Sequence, residues 1–413
     1  MDSYRKTINA ELIAKIYADS NGELSNEALY SEVARRTGLT ESEMNTTRAV
    51  GKAGTQRKVI PHKVRWFQQT LKAMGIIEKT EGKATWRHTR RTLSDLDEAR
   101  EGTRILAYAT SLGIAILSDA ESFFRGFSEP VHLGFTSPPY PLQKARAYGG
   151  PSDELEWIDF ITRVLEPICR NLVSGGSVCL NLGNDIFVPG GKGERSLYQE
   201  RLVLALNDRL GLKKIDMIPW VNRAKPPGPT EYACKRRTHL SSGWESLYWF
   251  SNSPSELRSD NRRVLNEHTM RHKKLLMEGN KRQAVYGDGA YKLRESSYSN
   301  QTEGSIPKNV FERGNACADT LAFRKFASKL GLPHHGAMFP TALASFFIKF
   351  LTREGDLVID PFCGSNKTGL AAQRLNRRFV SVDRCAQFLR TSAELFRNFP
   401  DFMLNPFMLN YNR

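Results

Sequence analysis

The chain has 413 residues, 40% hydrophobic and 25% charged, with a formal net charge of +16 and a pI near 9.6. That length is enough for two or three domains with a large core, and the composition is that of a soluble globular protein rather than a disordered one. The basic excess points to a polyanionic partner, most often nucleic acid. An anionic membrane is disfavoured, because there is no lipidation signal and no long apolar run. Met1 to Lys6 lack the apolar segment of a signal peptide, so a cytoplasmic, nucleoid-associated protein is expected. Six scattered cysteines form no C-x-x-C pair and read as reduced, buried thiols. His334-His335 is an adjacent pair, a poor geometry for one metal, and no metal site is expected.

In chain order, Ile8 to Ala18 has helical apolar spacing. A second helix starts at Ser25 or Asn26, either of which can cap it, and ends near Gly38. Residues 39 to 61 are polar and read as a loop. His62 to Met74 is a third helix, with Val64, Phe67 and Leu71 on one face and Lys63, Arg65 and Lys72 on the other. Ile76-Ile77-Glu78 and Ala84 to His88 then read as a basic hairpin. Three helices followed by such a hairpin is a winged-helix pattern, which can lay a helix in the DNA major groove while the hairpin touches phosphates. Protein–protein contact is the competing use. A domain over 1–95 is expected, followed by a charged linker over 96–104.

From 105 on, strands and helices alternate, which predicts an α/β domain with a mostly parallel sheet and helices on both faces. His132 to Phe135 is a strand running into Ser137-Pro138-Pro139-Tyr140. Prolines lack an N–H and fix φ, so the strand stops there in a rigid turn. That turn holds the Ser137 hydroxyl, the Pro138 carbonyl and the Tyr140 ring in a fixed relation. Asp153 to Leu172 is an amphipathic helix closed by Ser174-Gly175-Gly176. Ser177 to Gly183 is a buried strand ending in Asn184-Asp185. Gly190 to Arg195 lacks phosphate-loop spacing and reads as a hairpin or mobile loop. Leu197 to Leu210 is a helix, Lys214 to Trp220 a strand, and Trp244 to Phe250 a strand at the far edge of the sheet. Between the last two lies a proline-stiffened basic loop with Arg223, Lys225, Lys235, Arg236 and Arg237, placed to lie on a nucleic-acid backbone or simply solvated. Residues 251–330 are polar and basic, either an inserted recognition region or a surface excursion.

The last segment, 331–413, carries a helix over Thr341 to Leu351 and then Asp360-Pro361-Phe362-Cys363-Gly364-Ser365-Asn366 between an apolar strand and a helix from Lys367. The next strand, Phe379 to Val382, ends in Asp383. Strand, tight turn, helix and strand with a terminal acid is the layout of a nucleotide-type site, the acid being placed for a ribose diol.

The two motifs together resemble the amino-methylating DNA methyltransferases of the permuted β arrangement. There an (Asp/Asn/Ser)-Pro-Pro-(Tyr/Phe) motif precedes an Asp-Pro-Phe-x-Gly-Ser motif that binds S-adenosylmethionine (AdoMet). His335 to Pro340 looks like that family's His-Pro-Ala-x-Phe-Pro element. Val64 to Ile77 resembles the N-terminal winged helix of Mrr-type restriction endonucleases. The resemblance implies a Rossmann-like methyltransferase domain over 105–413: a catalytic part at 105–250, an insertion at 251–330 and a cofactor part at 331–413. It implies Ser137, Pro138, Pro139 and Tyr140 as the catalytic turn, and Phe339, Pro340, Asp360, Pro361, Phe362, Gly364, Ser365, Asn366 and Asp383 as the cofactor site. Double-stranded DNA is the implied substrate, with a cognate restriction endonuclease as partner. Serine at the head of the motif implies cytosine N4, whereas Asp or Asn there goes with adenine N6. A DNA-binding regulator that has lost activity, and an RNA methyltransferase, keep the same fold. Three positions depart from the pattern: Asn366 replaces the second glycine, Gly336 a proline, and Lys367 a threonine, which would add a cation near the cofactor.

Overall fold

The computed structural model describes residues 8, 10–20, 23–50, 55–73, 77–80, 84–88, 99, 102–141, 151, 153–188, 190–279, 282–295 and 297–411. Most of the expected linker and the tip of the N-terminal hairpin therefore lie outside the described residues.

The N-terminal unit contains α1 (Ala10–Asp19), β1 (Glu23–Ser25), α2 (Asn26–Thr37), α3 (Glu41–Met44), β2 (Thr47–Val50), β3 (Thr55–Lys58), α4 (Val59–Ala73), β4 (Ile77–Lys79) and β5 (Thr85–His88). Helix α2 begins and ends where its residues dictate. Ser25 Oγ accepts from the Ala28 N–H, and Gly38 closes the helix at φ 71°. The span read as a loop over 39–61 is structured. Thr40 and Glu43 form a capping box for α3, and β2 pairs with β3 as an antiparallel hairpin. The short polar strands of that hairpin gave no apolar alternation to detect. Strands β1, β5 and β4 make a three-stranded antiparallel sheet beside the helices.

The remaining chain builds β6 (Arg104–Ala109), β7 (Gly113–Ser118), α5 (Ala120–Phe124), β8 (Val131–Thr136), α6 (Glu154–Arg170), β9 (Leu172–Leu182), α7 (Tyr198–Leu210), β10 (Lys213–Val221) and β11 (Trp244–Ser251). After these come α8 (Met270–Glu278), β12 (Ala284–Tyr286), β13 (Tyr291–Leu293), β14 (Phe311–Glu312), α9 (Ala318–Leu330) and α10 (Thr341–Leu351). The chain closes with β15 (Leu357–Asp360), α11 (Lys367–Arg374), β16 (Arg378–Asp383), α12 (Ala386–Ala393) and β17 (Met403–Leu404).

Ten strands form one sheet in the order β14-β10-β11-β9-β8-β15-β16-β7-β6-β17. The central strands β9, β8, β15, β16 and β7 are parallel, and β11 and β6 flank them antiparallel, so the sheet is mixed. Strand alternation fills both faces. Leu133, Phe135 and Val358 join the cluster under α10 and α11, while Val131, Leu357 and Ile359 join the one under α6 and α7. The first cluster continues into Ile13, Val33 and Leu71 of the N-terminal unit, so the two units share buried contacts.

Two expectations need correction. Trp244–Ser251 is not an edge strand but lies between β10 and β9, which explains its wholly buried Leu247 and Phe250. Ser174-Gly175-Gly176 does not close α6, which stops at Asn171. Those residues form an irregularity inside β9, where the register to β8 jumps from Leu172 to Ser177 and Gly175 sits at φ 69°.

Candidate active site

Parallel neighbours share a C-terminal edge, and here β8 and β15 deliver the two motifs to it side by side. Thr136 Oγ1 donates to Asp360 Oδ1 at 2.6 Å, and Thr368 Oγ1 donates to Asp360 Oδ2 at 2.6 Å. The Phe362 N–H completes the set at 3.1 Å. Asp360 is fully buried, and burial pushes its carboxyl up to about 6 despite those donors.

The turn after Asp360 is gripped from the next strand. Asp383, at the end of β16, accepts from the Gly364 N–H at 2.6 Å and the Cys385 N–H at 2.8 Å. Gly364 stands at φ 49°, a conformation that favours glycine, and a Cβ there would press on His335 Nε2 at 2.6 Å. Asn366 takes the left-handed conformation at φ 51° and is wholly buried. Its Oδ1 accepts from Gly369 N and Ser381 Oγ, and its Nδ2 donates to Tyr108 Oη at 2.7 Å. The asparagine thus fills the glycine position and adds bonds that glycine lacks. Lys367 overturns the expected cation beside the cofactor. Its ammonium lies against Phe339 O at 2.9 Å, Thr320 Oγ1 and Cys317 Sγ, bracing the His335–Pro340 strap from behind. Burial lowers its pKa. Phe339 in turn sets its ring edge-on to Phe135.

At the Ser137–Tyr140 turn, Ser137 Oγ is 3.0 Å from Tyr140 Oη and donates to the Asn181 carbonyl at 3.2 Å. Trp157 Nε1 donates to the Pro139 carbonyl at 2.5 Å, fixing the turn to α6. Among the described residues nothing donates to the Pro138 carbonyl, whose residue lines the cavity.

Two cavities meet at this turn. One, of about 300 Å³, is bounded by Asp119, Phe160, His335, Pro361, Phe362, Asp383 and Arg384. The other, of about 390 Å³, is bounded by Asn181, Asp185, Lys225, Glu245, Arg324 and Phe339. Ser137, Tyr140 and Ala337 belong to both. In the second cavity Asn181 Nδ2 donates to Glu245 Oε2 at 2.9 Å, and Lys225 Nζ pairs with Asp185 at 3.3 Å and Glu245 at 3.6 Å. Asn181 Oδ1 is buried without a hydrogen-bond donor among the described residues.

Of the residues expected on DNA, Lys225 turns inward as described. Arg223 pairs with Glu312, and Lys235 and Arg236 both pair with Glu231. Arg237 is exposed in a left-handed conformation at φ 59°. Arg65 is exposed and donates to Tyr30 Oη, Lys63 lies over the Phe67 ring, and the Lys72 side chain is outside the described residues. Asp119, Phe160, Asn181, Asp185 and Glu245 line the two cavities, and the sequence did not single them out as such. Only the polar strand end Asn184-Asp185 offered a local signal. Cys234 is exposed, against the expectation of buried thiols. Among the described residues no group of His, Cys, Asp or Glu is placed to hold a metal ion, and no helix is long and apolar enough to cross a membrane.

A glycine turn locked by an acid, adjoining a Ser-Pro-Pro-Tyr turn on the neighbouring parallel strand, is the site of a methyltransferase acting on amino groups. Residues 131–394 match the model of the N6 and N4 family described as "DNA methylase", and the chain belongs to that family. It is similar to the type II methyltransferase M.PvuII of Proteus hauseri, 30% identical over 70% of this chain and 85% of that one. The type II methyltransferase M.HindIII of Haemophilus influenzae is 25% identical over 50% of this chain and 60% of its own. The solved PvuII DNA methyltransferase (cytosine-N4-specific) superposes with a TM-score of 0.56 at 27% identity, covering 75% of this chain and 94% of that one.

Proposed function

We propose that this enzyme methylates the N4 amino group of cytosine in double-stranded DNA, as the modification partner of a restriction endonuclease. The observation that carries the reading is Ser137 at the junction of the two cavities, one beside the Asp360–Asn366 turn and the other lined by polar groups sized for a base.

The first cavity fits AdoMet on its own features. Asp383, at the end of β16, lines it with the acid that a ribose diol would meet, and Pro361 and Phe362 of the turn line it as well. Phe160 and Phe362, with ring centroids 5.7 Å apart, offer apolar walls. AdoMet, when bound, supplies an electrophilic methyl group.

The rest of the chemistry falls to the turn. An exocyclic amino group is a poor nucleophile because its lone pair is delocalised into the ring. The Ser137 hydroxyl and the Pro138 carbonyl accept its two N–H bonds, which localises that lone pair. Because prolines and the Trp157 bond fix both acceptors, little reorganisation is needed. Tyr140 stacks on the ring of a base that has left the duplex. The rest of cytosine's polar edge, N3 and O2, accepts hydrogen bonds, and the Lys225 ammonium is a donor lining the second cavity. Neither Cys179 nor Cys363 serves as a nucleophile: burial raises both well above the ordinary thiol range.

The N-terminal unit is read as a winged helix of the Mrr-type pattern, spanning 1–95 ahead of a linker over 96–104. Its three-stranded sheet and the exposed Arg65 on α4 support that reading, and the +16 charge of the whole chain supports DNA as the protein's partner. The insertion at 251–330 is read as a target-recognition region. The test is incubation of diverse DNA with labelled AdoMet followed by nucleoside analysis. N4-methylcytosine is expected; label on adenine N6 would replace the cytosine assignment, and no labelled base at all would remove the reading.

A further inference from the structure

The loop between β10 and β11 has a tip that the reaction chemistry leaves unexplained. Leu240 is 90% exposed, the most exposed large apolar side chain among the described residues. A lone exposed leucine is ordinary on a protein surface. This one stands on a braced loop. His239 Nε2 donates to the Gly193 carbonyl at 2.8 Å, and the Phe187, Tyr232 and His239 rings pack within 4.8 to 6.0 Å of one another. On the other side, the Gly228 N–H donates to Ser241 Oγ at 3.2 Å, and the Ser242 N–H donates to the Gly228 carbonyl at 2.8 Å.

The same loop is rooted in the second cavity. Ser242 Oγ donates to Asp185, and the Asn222 N–H donates to the Gly243 carbonyl at 2.8 Å; Asp185 and Asn222 both line that cavity. The tip is also basic. Lys235, Arg236 and Arg237 immediately precede it and are all exposed. A rigid loop that carries an apolar point, has cations behind it and is anchored at the wall of a base-sized cavity matches the requirements for entering a base stack. The cations meet phosphates, and the apolar side chain replaces stacking lost when a base leaves.

We propose that Leu240 is a wedge that inserts into duplex DNA and occupies the place vacated by the base drawn into the Ser137 cavity. This rests on the reading of the site as a base-flipping DNA methyltransferase. Leu240 acts as a positioning residue: it favours the extruded state and touches none of the reacting atoms. Extrusion costs a few kcal/mol for a paired base and much less for an unpaired one, which gives the wedge a distinctive signature.

The target sequence is first located by sequencing modified bases in exposed DNA. Methylation rates are then compared on a duplex whose target base is paired and on one where it faces an abasic position, using the full chain and the variants L240A and L240M. L240A is expected to be slowed about tenfold or more on the paired duplex and to stay within about twofold of the unaltered enzyme on the unpaired one. L240M, which keeps length and apolarity, is expected to match the unaltered enzyme on both. Equal rates for L240A on both duplexes, or an equal slowing on both, would overturn the wedge. An unaltered enzyme inactive on both duplexes would instead remove the methyltransferase reading beneath it.

Discussion

Thr136 Oγ1 and Asp360 Oδ1 are 2.6 Å apart, although 224 positions separate them in the chain. This bond ties the strand that ends in the Ser137–Tyr140 turn to the strand that ends in the Asp360–Asn366 turn. A displacement of β15 along β8 would therefore break the bond and misplace Ser137 relative to the neighbouring cavity. Near-attack geometry tolerates little such displacement.

Asp360 gives that relationship a pH signature. Its carboxyl sits at about 6 in the folded protein, above the ordinary Asp value of 3.8. Between those two values the native state holds a proton that the unfolded chain has lost. The contribution of this group to stability is therefore full below pH 3.8 and is lost as pH rises through about 6. The total is on the order of 3 kcal/mol. Asp360→Asn cannot ionise and is expected to flatten the fall in melting temperature between pH 4 and 6, about the span of the two pKa values. Melting curves of the two proteins at matched pH check this; parallel slopes would refute it.

Lys367→Met tests the reassigned lysine. If its ammonium braces the strap through Phe339 O, its removal strands a buried carbonyl and costs about 1–3 kcal/mol of stability. AdoMet affinity should weaken because the strap that Lys367 braces also carries His335 and Ala337 into the first cavity, while its dependence on salt should match that of the unaltered enzyme. A changed salt dependence in calorimetric titration would mean that the cation acts on the cofactor directly.

The two motifs were legible because each is a local necessity. Prolines must end β8, and small residues must follow Asp360 for the backbone to turn under a ligand. Their meeting was not local. It depends on β8 and β15 being parallel neighbours, which only the pattern shared with a family implied. The second cavity was less legible still. Asn181 lies within a buried apolar strand, and Glu245 lies in an aromatic one, so neither stands out until β9 and β11 pair antiparallel with Leu182 opposite Ser246. Lys367 misled for a related reason. Its position in the turn suggested the cofactor, but a side chain at the first residue of α11 can point to either side of the turn. Thr320, brought in from α9, fixes the side it takes.

Trp157→Phe addresses the Ser137–Tyr140 turn without touching its motif. Trp157 is wholly buried on α6, and its indole N–H is the donor to the Pro139 carbonyl. Phenylalanine keeps most of the packing and removes the donor. Stability should fall by about 1–3 kcal/mol, and the maximal rate should fall about tenfold as Ser137 and Pro138 loosen. AdoMet affinity should hold, because Trp157 does not line that cavity. Single-turnover rates alongside AdoMet titrations separate the two; a loss confined to AdoMet binding would contradict the assignment.

Arg236 and Arg237 are the cations set just before the Leu240 tip, and they should act through phosphates rather than through base identity. Arg236 is partly neutralised by Glu231 at 2.9 Å, whereas Arg237 lies exposed at φ 59° and has no ion pair among the described residues. Replacing Arg237 with alanine is expected to lower the slope of log affinity against log salt by about 0.9, the value for one released phosphate contact. The Arg236 replacement should lower it by less, because Glu231 already offsets part of that charge. Binding to unrelated duplexes should weaken in the same proportion as binding to the target. Measured slopes that do not change, or a loss restricted to the target sequence, would place these arginines elsewhere than on the backbone.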